Sequence, residues 1–265
     1  MRKESLIDKE FKVLDQGFVK LIDYLGNDAR ITQAARNTTL SKPDPKRDEG
    51  LIDYLYRNRH TSPLEFVVFT FHCKMPLFVA RQWVRHRTAS INEQSGRYTQ
   101  VQLGAYLPEE ERMQAQSKRN HQGSGDQLEK EIASEILLDM EKQVKTFNQS
   151  YDWYLDQDLA KELARLTMPV NMYTQWYWQI DLNNLLKFLS LRMESHAQWE
   201  MRQYAFAIAD IVKEIVPFAW NAFEEHTMYG VHLSRTEKEE LLDVIGDRGP
   251  DYLREKLSAN NYKRG

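Results

Sequence analysis

Residues 66–74 read FVVFTFHCK, a β-branched and aromatic run in which apolar positions alternate with mixed ones. That alternation places every second side chain on one face of a pleated strand, so the segment is expected to be a strand with a buried face. Downstream, Pro76 suits the first position of a helix running through PLFVARQWVRH, 76–86. Upstream, Ser62-Pro63-Leu64-Glu65 fits a helix start with Ser62 as N-cap, Pro63 at the first helical position and Glu65 completing a capping box. Further back, a helix over Lys46 to Arg57 would carry Leu51, Ile52, Leu55 and Tyr56 on one face, and Asp28 would cap a helix through ARITQAARN. FKVLD and FVKLIDYLG, before it, read as a short strand pair or as a strand leading to a turn.

Toward the C-terminus, EEERMQAQSKRNHQGSGDQ (109–127) is polar, without apolar period, and is expected to be a mobile loop or frayed helix. Ile132, Ile136, Met140, Val144, Phe147, Tyr151 and Tyr154 then recur every three or four residues and predict a long amphipathic helix. A short helix over Leu159 to Leu166 should stop near Pro169, and YTQWYWQI (173–180) alternates as a second buried strand. Asn183 to Pro217 is helical with a break near Ser195, and Thr236 to Ile245 carries a capping box in Thr236 and Glu239 with Gly246 as its stop. Helices dominate, the strands lie far apart, and no regular βαβ alternation occurs. The expected class is α+β.

Composition bounds the function. The 265 residues contain 42% hydrophobic and 28% charged residues, an ordinary balance for a soluble globular chain. The N-terminus MRKESLIDKEF lacks a signal-peptide core, and no apolar run approaches the ~18 residues of a membrane helix, so a cytoplasmic protein with no membrane partner is expected. The single cysteine, Cys73, permits neither an internal disulfide nor a cysteine metal cage. The seven histidines form no HExxH pattern and no Glu-x-x-His occurs, so no metal is expected. A net charge of −3 disfavours nucleic acid as a partner.

Against that background, RHRTASINEQSGRY (85–98) is a local exception: from Arg81 to Tyr98 four arginines face one anion, Glu93. If PLFVARQWVRH is helical, Arg81 and Arg85 share a face with Gln82 beside Arg85. The short polar stretch around Gly96 offers backbone N–H groups and the Ser95 hydroxyl to a phosphate, while Arg97 grips it bidentately. Gln82, Asn92, Gln94 and Glu93 then suit a base or ribose edge, so a nucleoside monophosphate fits the inventory. An exposed basic helix end with an Asn/Gly turn is the competing structural explanation. No P-loop or Rossmann fingerprint is present. In LSLRMESHAQWE (189–200), Arg192 and His196 lie four apart on a helical face, with Glu200 and Arg202, or Glu194 and Gln198, as surface partners in the simplest account. Arg165 lies near a helix end, where the dipole favours a cation.

The motif RHRxxSxNExSxRY is matched at all nine of its fixed positions in fourteen, and the chain resembles the flavin-dependent thymidylate synthases. Similarity continues through HTSPLEF, FVARQW, ELARLTMPVNMYTQ and FLSLRMESHAQWE, roughly Phe11 to Tyr229. The resemblance implies an antiparallel sheet flanked by helices, in a single domain over 1–233 with the insert 109–127, followed by a helical extension over 234–265, assembling as a homotetramer. It implies conversion of dUMP to dTMP with 5,10-methylenetetrahydrofolate as carbon donor, FAD as hydride carrier and NADPH as reductant, without a cysteine nucleophile. By position, Gln82, Arg85, Glu93, Gln94, Ser95, Gly96, Arg97, Arg165 and Arg192 would hold dUMP, and Arg192 would favour ionisation of the uracil ring. Ser62, Arg85, His86, Arg87, Glu93, Asn183, Lys187 and His196 would contact FAD, with His60 and Tyr98 in the flavin and folate pocket. Near the flavin this chain has Asp181 and Lys187, with Asn183 between them, where some members carry Asn. A nucleic-acid module using the basic helix, and a nucleotide-dependent NADPH oxidase that transfers no carbon, are the alternative readings.

Overall fold

The computed structural model describes residues 2–100, 104–118, 123–246 and 249–258. Residues 119–122 of the polar insert and 259–265 of the C-terminal extension lie outside the described residues. In chain order the strands are β1 (Glu10–Val13), β2 (Gly17–Leu25), β3 (Val68–Pro76), β4 (Ser90–Glu93), β5 (Gln114–Gln116), β6 (Ser124–Gln127) and β7 (Tyr173–Asp181). The helices are α1 (Asp28–Asn37), α2 (Asp48–Arg57), α3 (Leu77–Trp83), α4 (Lys130–Asp156), α5 (Lys161–Ala164), α6 (Leu182–Arg192), α7 (Trp199–Ile215), α8 (Pro217–Phe223), α9 (Arg235–Ile245) and α10 (Asp251–Ser258).

Five strands form one antiparallel sheet in the order β1-β2-β3-β7-β4. The α+β expectation, with an antiparallel sheet flanked by helices, holds. Period-two burial explains the two central strands: Phe69, Phe71, Cys73 and Met75 of β3 and Trp176, Trp178 and Ile180 of β7 all point into the core. Helices α3, α6 and α7 cover that face, and Trp83 sits at its centre, with ring centroids 5.0 Å from Trp178, 5.5 Å from Trp176 and 5.2 Å from Phe188. Gly17 is required where β2 passes under α7, because a Cβ there would lie 2.0 Å from the Tyr204 hydroxyl oxygen. A satellite core of Ala105, Phe147, Tyr151, Ala164 and Met172 ties α4 and α5 to the start of β7.

Several local expectations change. Ser62 opens a 3-10 turn, Ser62–Phe66, with no side-chain cap, so the capping box does not form. The N-cap of α1 is Asn27, which accepts from the Ala29 N–H; Asp28 is instead buried and accepts the backbone N–H groups of Phe218 and Ala219. The last capping box is Ser234 with Glu237, two residues earlier than expected. The polar insert contains a 3-10 turn at Glu110–Arg112 and the β5-β6 pair instead of a loop or frayed helix. α3 ends at Trp83, which leaves Arg85 beyond the helix, and α6 ends at Arg192, which leaves His196 off its face.

Contacts divide the chain into two units, Met1–Phe223 and Glu224–Gly265. The first holds the sheet and every residue of the candidate site. The second holds a π-helical turn, Glu224–Met228, with α9 and α10.

Candidate functional site

Strand β4 is the edge of the sheet, pairing Glu93 with Trp176, and the ladder continues through the Gln94 N–H to the Gln175 carbonyl at 2.9 Å. The chain then turns over Ser95, whose carbonyl accepts the N–H groups of Tyr98 at 3.1 Å and Thr99 at 3.2 Å. Glu93, Gln94, Ser95 and Gly96 thereby line a cavity of about 290 Å³ together with Leu77, Arg165, Met168, Tyr173 and Thr174. Arg165 reaches it because Ala164, at the end of α5, is locked into the satellite core by α4. Two motifs about seventy residues apart in sequence thus meet at one wall.

The carboxylate and the amide of the wall are held. Glu93 Oε1 accepts from the Thr174 hydroxyl at 2.6 Å, and Gln94 Oε1 accepts from Gln175 Nε2 at 2.8 Å. Gln94 Nε2 donates to Thr99 Oγ1 at 3.1 Å, which fixes the amide's orientation. Arg97 turns outward to Glu162 at 2.8 Å, and Lys161 Nζ donates to the Tyr98 carbonyl at 3.0 Å, so α5 clips the loop from outside.

A second cluster forms where α3 and α6 end. Arg192 Nε donates to His86 Nε2 at 3.0 Å, and Arg192 Nη2 donates to the Gln82 carbonyl at 3.3 Å. Gln82 Nε2 donates to Gln198 Oε1. His86 packs its ring edge-on to Phe188, and burial, reinforced by the Arg192 charge, pushes its pKa down to about 4. A neutral imidazole accepts from Arg192 only with its proton on Nδ1. Arg192 therefore has two neutral partners and no carboxylate partner among the described residues, and burial lowers its own pKa. The arrangement offers a fixed cation to an anion or an electron-rich oxygen.

The remaining residues singled out in the sequence lie apart from these two clusters. Arg85 and Arg87 are exposed and carry no ion pair among the described residues. Ser62 and Lys187 are exposed, and Asn183 is buried, donating to Glu65 Oε1 at 3.1 Å. His196 bonds Glu194 through Nδ1, and Tyr98 is exposed. His60 lines a separate cavity of about 450 Å³ beside Arg36, Lys42 and Arg47, three cations the sequence reading passed over. The run SKPDPKR between two helices, rich in cations and prolines, was the available signal.

Sequence reasoning also missed Tyr173 and Thr174, both buried at the start of β7, which line the first cavity. Glu200 departs most from expectation. It is 4% exposed and pairs with Arg112 at 3.0 Å, not with Arg202 on the surface.

The family model described as thymidylate synthase complementing protein matches residues 20–218. The chain is 52% identical over 248 residues to the flavin-dependent thymidylate synthase of Thermus thermophilus, covering 93% of this chain and 89% of that one. The chain belongs to this family. It is 45% identical over 259 residues to the flavin-dependent thymidylate synthase of Treponema denticola, covering 97% of each chain. Among solved structures it is similar to the UMP/dUMP methylase PolB from Streptomyces cacaoi bound with 5-Br dUMP. That match has a TM-score of 0.75 and 28% identity, and covers 83% of this chain and all of the other. In a flavin-dependent thymidylate synthase, the exposed Arg85 and Arg87, which have no ion pair among the described residues, are a donor set that fits the diphosphate of a flavin dinucleotide.

Proposed function

We propose that this member of the family converts dUMP to dTMP, taking the carbon from 5,10-methylenetetrahydrofolate and releasing tetrahydrofolate. FAD, reduced by NADPH, supplies the hydride. The observation that carries the reading is the cavity in which Glu93, Gln94, Ser95 and Gly96 of one motif face Arg165 of another. Arg165, the Ser95 hydroxyl and the loop N–H groups take the phosphate, with Arg97 released from Glu162 to join them. Glu93 and Gln94, oriented by Thr174 and Gln175, position the ribose and base.

Arg192 acts on the ring. Its guanidinium is held by a neutral histidine and a carbonyl, so its charge stabilises negative charge developing on the uracil imide as N3 ionises. No cysteine attack is invoked, which agrees with Cys73 lying wholly buried in β3 with its thiol pKa pushed up by burial. Arg85, Arg87 and Ser62 hold the flavin, with His86, Glu93, Asn183, Lys187 and His196 around it. His60 and Tyr98 serve the flavin and folate pocket. The reading further has the enzyme working as a cytoplasmic homotetramer, with 1–233 as the catalytic domain and 234–265 as an appendage. Among the described residues, no helix is long and apolar enough to cross a membrane.

The test is product formation by flavin-loaded protein, followed by chromatography of dTMP, with each of dUMP, methylenetetrahydrofolate and NADPH omitted in turn. Every omission should abolish dTMP. NADPH oxidation that continues with dUMP but yields no dTMP would replace the reading with a nucleotide-dependent oxidase.

A further inference from the structure

Tyr173 opens β7 and lines the same cavity as Glu93 and Arg165. It is 2% exposed, yet its hydroxyl points to a residue that no step above uses. That hydroxyl donates to Asp15 Oδ1 at 2.5 Å. Asp15 lies in the turn between β1 and β2, 158 residues away, and is exposed.

We propose that Asp15 and Tyr173 form a positioning pair that sets the floor of the nucleotide cavity. This rests on the reading that the cavity binds dUMP. The turn is built to present the carboxylate. Leu14 is held at φ 58°, a left-handed conformation that persists only where the surroundings fix it. The Gln16 N–H donates to Asp15 Oδ1 at 3.0 Å and reaches the Tyr173 hydroxyl oxygen at 3.4 Å. Gln16 Nε2 donates to the Ala105 carbonyl at 3.2 Å, and the neighbouring Gly104 carbonyl accepts the Tyr173 N–H at 2.9 Å. Gly104 has φ +83°, and a Cβ on it would lie 2.2 Å from Gln16 Oε1, so the two segments approach as closely as a glycine allows.

The Tyr173 ring is therefore fixed at its hydroxyl by the turn, at its backbone by Gly104, and beneath Lys74, whose Nζ lies 5.0 Å from the ring centroid. The next residue, Thr174, holds Glu93 at 2.6 Å. A ring free to tilt would move one lining residue and loosen the anchor of another. Burial and the Asp15 hydrogen bond push the Tyr173 phenol pKa far up, so it stays a donor at all working pH values. Asp15 does not touch the cavity, and its effect is transmitted through Tyr173.

The test uses flavin-loaded full-length protein carrying Tyr173→Phe, Asp15→Ala, Asp15→Asn or both Tyr173→Phe and Asp15→Ala. Because Asp15 is exposed, its replacement leaves the core intact. The two disrupting single variants should raise KM for dUMP about tenfold with kcat within about threefold, and the double variant should be no worse than either. Asp15→Asn keeps an acceptor and should restore KM to within about threefold of wild type. Unchanged KM in Asp15→Ala and Tyr173→Phe, whatever happens to Tm, would overturn the proposal and leave a purely structural contact. Wild-type protein that shows no dUMP saturation would instead remove the nucleotide reading on which the pair depends.

Discussion

Two arginines in this fold are held in opposite ways. Arg112, from the polar insert, lies over the Trp199 ring and donates through Nη2 to Glu200 at 3.0 Å, with the pair's side chains 16% and 5% exposed. Tyr106 donates to the same oxygen at 3.4 Å. Arg192 is also partly buried, but its partners are a neutral histidine and a carbonyl. The first charge is cancelled where it sits and the second is kept. A cancelled charge does structural service, since it has no field left to offer a substrate, whereas a retained one costs desolvation that only a ligand repays.

The largest effect should come from breaking the cancelled pair. Arg112→Ala leaves Glu200 buried without its cation and is expected to cost about 3–5 kcal/mol in denaturant unfolding, with the kcat of the remaining folded protein little changed. Arg192→Ala should do the reverse. It is expected to lower kcat for dTMP formation by roughly 10²–10³-fold while flavin content and Tm stay near wild type, as for other single electrostatic stabilisers. Should Arg192→Ala prove mainly a folding defect, the contrast between the two arginines collapses.

A pH titration sharpens the same contrast. His86 has its folded pKa lowered to about 4 from 6.5, so between those values the unfolded chain binds the extra proton. Stability from this site is complete above pH 6.5 and is lost as pH falls toward 4. Asp28 acts oppositely: burial raises its pKa from 3.8 to about 6, so its contribution falls as pH rises through that window. Measuring unfolding of His86→Asn against wild type from pH 4 to 7 cancels the Asp28 contribution. The variant should lose less stability on acidification.

The smallest effect belongs to a third arginine. Arg97 and Glu162 are 58% and 50% exposed, so Glu162→Ala should change stability by less than about 1 kcal/mol. By releasing Arg97 it should leave dUMP affinity unchanged or tighter in a binding titration.

Much of this was legible in the sequence, and the exceptions share a cause. The period-two runs of β3 and β7 report one-sided burial directly, and the three-to-four-residue recurrence marks α4 as a helix, although of its recurring residues only Phe147 and Tyr151 are buried. The candidate site was legible because RHRTASINEQSGRY concentrates unlike polar types within fourteen residues. Glu200 was misread because Arg202 is its near neighbour in sequence, while Arg112, its true partner, is 88 residues away. The β5-β6 pair was invisible because its Gln, Ala, Ser, Gly and Asp residues are all exposed and show no apolar alternation. The cap at Ser62 failed because a 3-10 turn followed by a strand leaves no helix whose N–H groups need it.

The central claim is that the cavity between the β4 loop and the end of α5 is the nucleotide site. Its most direct test is the visible difference spectrum of flavin-loaded protein titrated with dUMP, on wild type and on Arg165→Ala. The account predicts a saturable flavin perturbation in wild type, and an affinity weakened about tenfold or more in the variant, as for loss of a charge-assisted phosphate contact. A perturbation that saturates at the same dUMP concentration in both proteins would contradict it.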